Sequence, residues 1–208
     1  MSRRKNELVQ RFVRKGEGVH IATLRAAVTN SAGVSKDAVS IDLSSAQVPD
    51  RRYAADAVRV EVGEDMVRIF FAQRKPPGDG LQSILLIRVS FLGARQFLRS
   101  MEPIVGQVKG YLAKFHIRIP PQLDIKETPN QTVTLDANIV AAGFSAREAC
   151  LDFYHVSPYV ILGMRSGADM YADAVVRVIL TTSILMSIYD ALVAEKASLP
   201  ADEMEEQL

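Results

Sequence analysis

The sequence predicts an α+β fold: an antiparallel sheet backed by helices, built from two tandem β-β-(β)-α repeats behind an N-terminal helical arm. Three observations lead there. Short apolar runs alternate with polar residues as hairpin strands do, two long segments carry helical spacing, and the second half returns to the strand-strand-helix order of the first. The expected partition is an arm and lead-in strand over 1–50, a first repeat over 51–118, a linker over 119–134, a second repeat over 135–198, and an acidic tail over 199–208.

The arm begins with Arg3, Arg4, Lys5, Arg11, Arg14 and Lys15 around Leu8, Val9, Phe12 and Val13. That spacing places the four apolar residues on one face of a short basic amphipathic helix. Gly16 and Gly18 end it. Val19 to Val28 offers a second helix closing in a turn at Asn30, Ser31 and Gly33, and Val39, Ile41 and Leu43 alternate with polar neighbours as in a strand.

The first repeat is plainer. Val58, Val60 and Val62 alternate with Arg59 and Glu61, and after Gly63-Glu64-Asp65 the residues Val67, Ile69 and Phe71 alternate in turn, which predicts a hairpin with one buried face. Ile84 to Phe91 is apolar enough for a central strand. A helix from Ala94 to about Lys114 would bury Phe97, Leu98, Met101, Ile104, Val105, Val108 and Leu112, with a kink or restart expected at Pro103. Pro120, Pro121, Pro129 and Asn130 mark the linker.

The second repeat is expected to align Asn138–Ala142 with Ala57–Glu61, Ala149–Phe153 with Val67–Phe71, and Val176–Leu180 with Ile87–Phe91. Its helix would turn Ile184, Leu185, Ile188, Tyr189 and Leu192 inward, capped by the hydroxyl of Thr182 or Ser183. Two such units would pair their apolar faces as a shared sheet backed by helices, a dimer-like arrangement within one chain.

Asp136-Ala137-Asn138-Ile139-Val140, Ser145-Ala146-Arg147-Glu148, Leu151-Asp152-Phe153 and Arg177-Val178-Ile179-Leu180-Thr181, with the helix to Leu192, resemble a family of short bacterial proteins catalogued only as a domain of unknown function. The resemblance covers residues 136–192, with a weaker echo in the first repeat. Thr182 stands where that family has proline, and the first repeat has Phe70-Phe71 in place of the Asp-Phe pair. The resemblance implies a fold and a bacterial origin, and no reaction.

Composition narrows the function classes. Hydrophobic residues make up 48% and charged residues 24% of 208, and the net charge is +1, so the chain as a whole has no electrostatic reason to seek nucleic acid or anionic lipid. The N-terminus lacks the apolar core of a signal peptide, and no run is long enough to span a membrane. A single cysteine, Cys150, excludes an internal disulfide and fits a reducing cytoplasm.

Cys150 and His155 differ by an odd number of positions, so a strand would place them on opposite faces and deny the thiol its base. His20, His116 and His155 are dispersed, without metal-ligand spacing. Glu148 and Asp152 could be paired acid-base carboxylates, but a turn position for Glu148 and a salt bridge from Asp152 to Arg177 on the neighbouring strand account for both. The glycines at 78–80 and 163–167 lack the pattern of a phosphate-binding loop. No catalytic residue, cofactor or metal is therefore expected.

What remains is a non-enzymatic cytoplasmic protein: an adaptor, scaffold or assembly component that contacts copies of itself or another protein. Leu8, Val9, Arg11, Phe12, Val13 and Arg14 are the expected partner-binding residues. The alternative is a nucleic-acid-binding or regulatory protein using the basic arm with Arg51, Arg52, Arg59 and Arg68.

Overall fold

Alternating apolar residues fold Ala57–Val62 (β4) and Val67–Arg74 (β5) into the expected antiparallel hairpin, with Val58 opposite Phe71, Val60 opposite Ile69 and Val62 opposite Val67. The computed structural model describes residues 29–30, 33–34, 47–74, 80–125, 131–157 and 172–199. The arm helix with its expected partner-binding residues, the second helix, the 39–43 strand and the acidic residues 202–206 lie outside the described residues. Thr29–Asn30 (β1) and Gly33–Val34 (β2) pair antiparallel, which places a chain reversal where the turn was expected.

The remaining strands are Arg52–Ala54 (β3), Leu81–Val89 (β6), Val133–Ala137 (β7), Ile139–Phe144 (β8), Glu148–His155 (β9) and Asp173–Thr181 (β10). The helices are Phe91–Lys114 (α1) and Thr182–Ala194 (α2), followed by a 3-10 turn at Lys196–Ser198. The fold is α+β, with sheets backed by helices. Its sheet is divided in two: one runs β4-β5-β6-β7, the other β8-β9-β10-β3.

Each sheet has three antiparallel strands from one half of the chain and a fourth, parallel strand from the other half. The lead strand of each half is thus exchanged. β3 pairs with β10, setting Tyr53 beside Val178, and β7 pairs with β6, setting Leu135 beside Ile87.

The two halves share several local features. The β5–β6 ladder skips Ile84, and the β9–β10 ladder skips Val175 at the same place. Asp56 and Asn138 stand at the bends after the lead strands, where their side chains accept the backbone N–H of Arg74 and Val156 at 3.0 and 2.8 Å. Ser90 and Thr181 cap the two helices, accepting from Gly93 N and Ile184 N. The α2 cap is therefore Thr181, one residue before the expected pair, and Thr182 turns inward to donate to the Ser145 carbonyl at 3.0 Å.

Ladder registers also correct the alignment of the halves. Val67–Phe71 does correspond to Ala149–Phe153, but Ala57 corresponds to Ile139 and Ile87 to Val178. The expected alignment sets Arg177 level with Arg88, two residues from the observed register. Arg88 takes its carboxylate from the exchanged strand, at Asp136, whereas Arg177 takes its own from the antiparallel neighbour, at Asp152.

The core lies between the inner sheet faces and the helices: Ile69, Phe71, Leu85, Ile87, Leu151, Phe153 and Val178 meet Phe97, Met101, Leu112, Leu185, Ile188 and Leu192. Burial of each large side chain contributes about 1.5–3 kcal/mol. α1 packs on β8 and α2 on β4, and the helices touch each other, with Lys109 reaching Asp190 at 2.6 Å. Gly93 permits the close approach of α1 to the bend at Asn138, since a Cβ there would lie 2.6 Å from the Asn138 carbonyl oxygen.

α1 runs through Pro103 without a restart. The ring is exposed, so water can serve the carbonyl that loses its donor. The helix ends in a Schellman arrangement, Ile117 N to Leu112 O at 2.9 Å and His116 N to Ala113 O at 3.1 Å, with His116 at φ 55°. No helix among the described residues is long and apolar enough to cross a membrane.

Residues 122–125, after α1, form a packed strap. Gln122 Oε1 accepts the edge N–H of Val60 at 2.8 Å, and Gln122 Nε2 donates to Ser187 Oγ on α2 at 2.8 Å. Asp124 takes Arg59 at 2.6 Å, and Leu123 and Ile125 settle on the outer face of the first sheet against Ala57, Phe70, Ala72 and Leu86.

Candidate functional site

A group of interacting ionisable side chains lies on the outer face of the second sheet. Strand alternation aims Cys150, Asp152 and Tyr154 of β9 to that side, and Arg177 arrives directly opposite Asp152 on β10. Arg177 Nε and Nη2 donate to the two carboxylate oxygens of Asp152 at 2.6 Å each. The expected salt bridge is present. The outward orientation did not leave Asp152 solvated, however, for its side chain is only 2% exposed.

This geometry sets the electrostatics. The Asp152 carboxylate lifts the Arg177 guanidinium above its usual range, chiefly through the hydrogen bonds. Burial pushes the Tyr154 hydroxyl up to about 12, aided by Asp152 and opposed by Arg177. Burial likewise raises the Cys150 thiol, with Asp152 adding to it. A thiol pushed upward is a poor nucleophile. The group ties strands together.

The other described residues singled out from sequence do not join it, and His20 and the glycines at 163–167 lie outside the described residues. His155 projects to the opposite face from Cys150, and His116 closes the Schellman turn at the end of α1. Glu148 starts β9, exposed, four residue pairs along the ladder from Asp152. Among the described residues no three His, Cys, Asp or Glu side chains gather as metal ligands.

The basic residues considered for nucleic acid are divided between the sheets. Arg52 lies on β3 in the second sheet with Arg51 just before it, while Arg59 and Arg68 lie on β4 and β5 in the first. Arg59 is also neutralised from two sides, by Glu61 at 2.5 Å and Asp124 at 2.6 Å. Two shallow depressions, of about 400 and 350 Å³, are lined by Gln47, Asp50, Arg51 and Asp173 and by Glu61, Arg68 and Glu195 among others. Neither contains the Asp152 group.

No family model, no curated protein and no solved structure matches this chain. Among the described residues, the exposed large hydrophobic side chains include one aromatic ring, at the end of α1, where Phe115 is 50% exposed and packs on Tyr111 with ring centroids 4.6 Å apart. Lys114 Nζ sits 5.8 Å from the Phe115 ring centroid. Sequence reading missed this pair because it ended the buried stripe of α1 at Leu112.

Proposed function

We propose that the chain is a non-enzymatic cytoplasmic assembly component that binds copies of itself, or another protein, through its N-terminal helix and the exposed end of α1. The observation that carries this reading is Phe115, half exposed and packed on Tyr111: exposed aromatic residues are enriched where protein partners meet. The exchange of lead strands supports it by making one firm body from both halves, suited to presenting surfaces.

The arm supplies the second element. A helix of about ten residues bearing Leu8, Val9, Phe12 and Val13 is too short to persist in water without a surface to cover it, and Arg11 and Arg14 on its other side suit an acidic partner face. The test compares the assembled mass of the full chain, of Phe115→Ser and of a chain lacking residues 1–18, by light scattering after gel filtration. Reduced mass in both variants, with unchanged circular dichroism, is the expected result. If both keep the mass of the full chain and all its binding partners, the reading fails.

A further inference from the structure

The exposed end of α1 carries charge of one sign. From Pro103 to Leu123 the chain has Lys109, Lys114, His116 and Arg118 and no acidic residue. Asp190 holds Lys109 at 2.6 Å. Lys114 and Arg118 are exposed, and among the described residues neither is joined to a carboxylate. Ile117 and Ile119 pack on the core, which leaves Arg118 between them turned outward, and the bond from Ile117 N to Leu112 O fixes the turn that presents Phe115. The negative end of the helix accounts for Lys114 in the last turn, but Arg118 lies beyond it. The half-exposed Phe115 ring therefore stands between two cations that lack a counter-charge.

A complementary surface lies where the same stretch of chain arrives. Running on from Phe115, the backbone reaches the edge of β4 at Gln122, which accepts Val60 N. Val60, Val62 and Gly63 form the apolar side of the depression of about 350 Å³ there, with Glu61 and Glu195 among its other lining residues. Directly after Gly63 the hairpin turn exposes Glu64 and Asp65, and among the described residues neither is in an ion pair. Arg68 also lines the depression, with Glu61 opposite it in the β4–β5 ladder. One surface is thus a ring between free cations, and the other is an apolar hollow beside free acids.

Whatever covers Phe115 must also meet Lys114 and Arg118, because a charge that loses its water without gaining a counter-charge is costly. The same end of another copy cannot do this, since like charges would face each other. Nucleic acid is poorly matched, because two free cations neutralise only about two phosphates. The hairpin turn supplies the two carboxylates, and the hollow is roomy enough for the ring.

We infer that two copies of the chain dock reciprocally about a twofold, the Phe115 ring of each entering the Val60–Val62 hollow of the other, with Lys114 and Arg118 meeting Glu64 and Asp65. The inference rests on the docking role proposed for Phe115 and names what occupies it.

Charge reversal tests it. Lys114→Glu with Arg118→Glu, and separately Glu64→Lys with Asp65→Lys, should each lower the assembled mass of the full chain in light scattering, and mixing the two variants in equal amounts should restore it. Arg118→Glu alone is read if glutamate at the helix end lowers the circular dichroism of the first variant. Wild-type mass in both charge variants overturns the inference, and so does a mixture that fails to regain mass. If Phe115→Ser loses mass while both charge variants keep it, the docking role stands and this occupant is removed. A shift of the chain by oligothymidylate that Arg118→Glu abolishes would assign the surface to nucleic acid and overturn the inference as well. A wild-type chain that stays monomeric at every concentration overturns it outright.

Discussion

Phe71 and Phe153 meet edge to face, ring centroids 6.1 Å apart and planes at 74°, and they are the same residue of the two halves. Each is fully buried. Truncating either to alanine should cost about 3–5 kcal/mol in urea unfolding. Because the rings touch, the double variant should lose less than the sum, by about 0.5–1.5 kcal/mol. Strict additivity would show that the inner faces do not meet there.

The two arginine-aspartate forks have the same geometry and different surroundings. Arg177–Asp152 has side chains 18% and 2% exposed, whereas Arg88–Asp136 has 42% and 56%. Asp152→Ala strands a partly buried guanidinium and should cost about 3–5 kcal/mol. Asp136→Ala should cost no more than about 1 kcal/mol and lose even that in high salt. Equal losses for the two variants would contradict the difference in burial.

Backbone conformation gives a third set of expectations. Gly93→Ala drives a Cβ to within 2.6 Å of the Asn138 carbonyl oxygen and should destabilise by about 2 kcal/mol or more, while Gly106→Ala, with nothing within 4 Å, should stabilise by about 0.5–1 kcal/mol. His116→Gly should stabilise by about 1 kcal/mol, since a left-handed φ of 55° strains any residue with a Cβ. Thermal midpoints of the three variants check all three signs, and a stable Gly93→Ala would mean that α1 stands farther from Asn138.

Tyr154 makes stability depend on alkaline pH. Its hydroxyl is raised from the ordinary value near 10 to about 12, so the folded state holds the proton over a window in which the unfolded chain releases it. The resulting stability is fully present below pH 10 and is lost as pH rises through about 12. Urea unfolding across that window should show a shallower decline for Tyr154→Phe than for wild type. A remaining slope is expected, because burial raises Tyr189 as well. Identical slopes would place the Tyr154 hydroxyl in water.

The hairpin β4–β5, the strands before the helices and both buried helix stripes were legible because alternation and helical spacing are written into single segments. α1 begins three residues before the expected Ala94 because the Ser90 cap lies ahead of the apolar stripe. The lead strands were harder. Arg52-Tyr53-Ala54 is too short to alternate visibly, and its partner is far away on β10, a pairing that no local pattern encodes. Asp152 read as a surface charge because a strand's polar face is usually wet, and its burial depends on what lies above the sheet. The Gln122 bridge involves three separate segments, so only their assembly reveals it.

The exchanged lead strands also govern how the chain comes to be folded during synthesis. When the first half has left the ribosome, β6 has its antiparallel neighbour β5, but its other edge awaits β7, which has yet to be translated. Meanwhile β3 has no sheet to enter until β10 emerges near the end of the chain. The nascent first half therefore carries an open hydrogen-bonding edge made of Leu85, Leu86 and Ile87, the kind of edge that invites a strand from a neighbouring polypeptide. Completion is a late event that closes both sheets, and a ribosome stalled before residue 133 leaves behind a sticky template in place of a finished half.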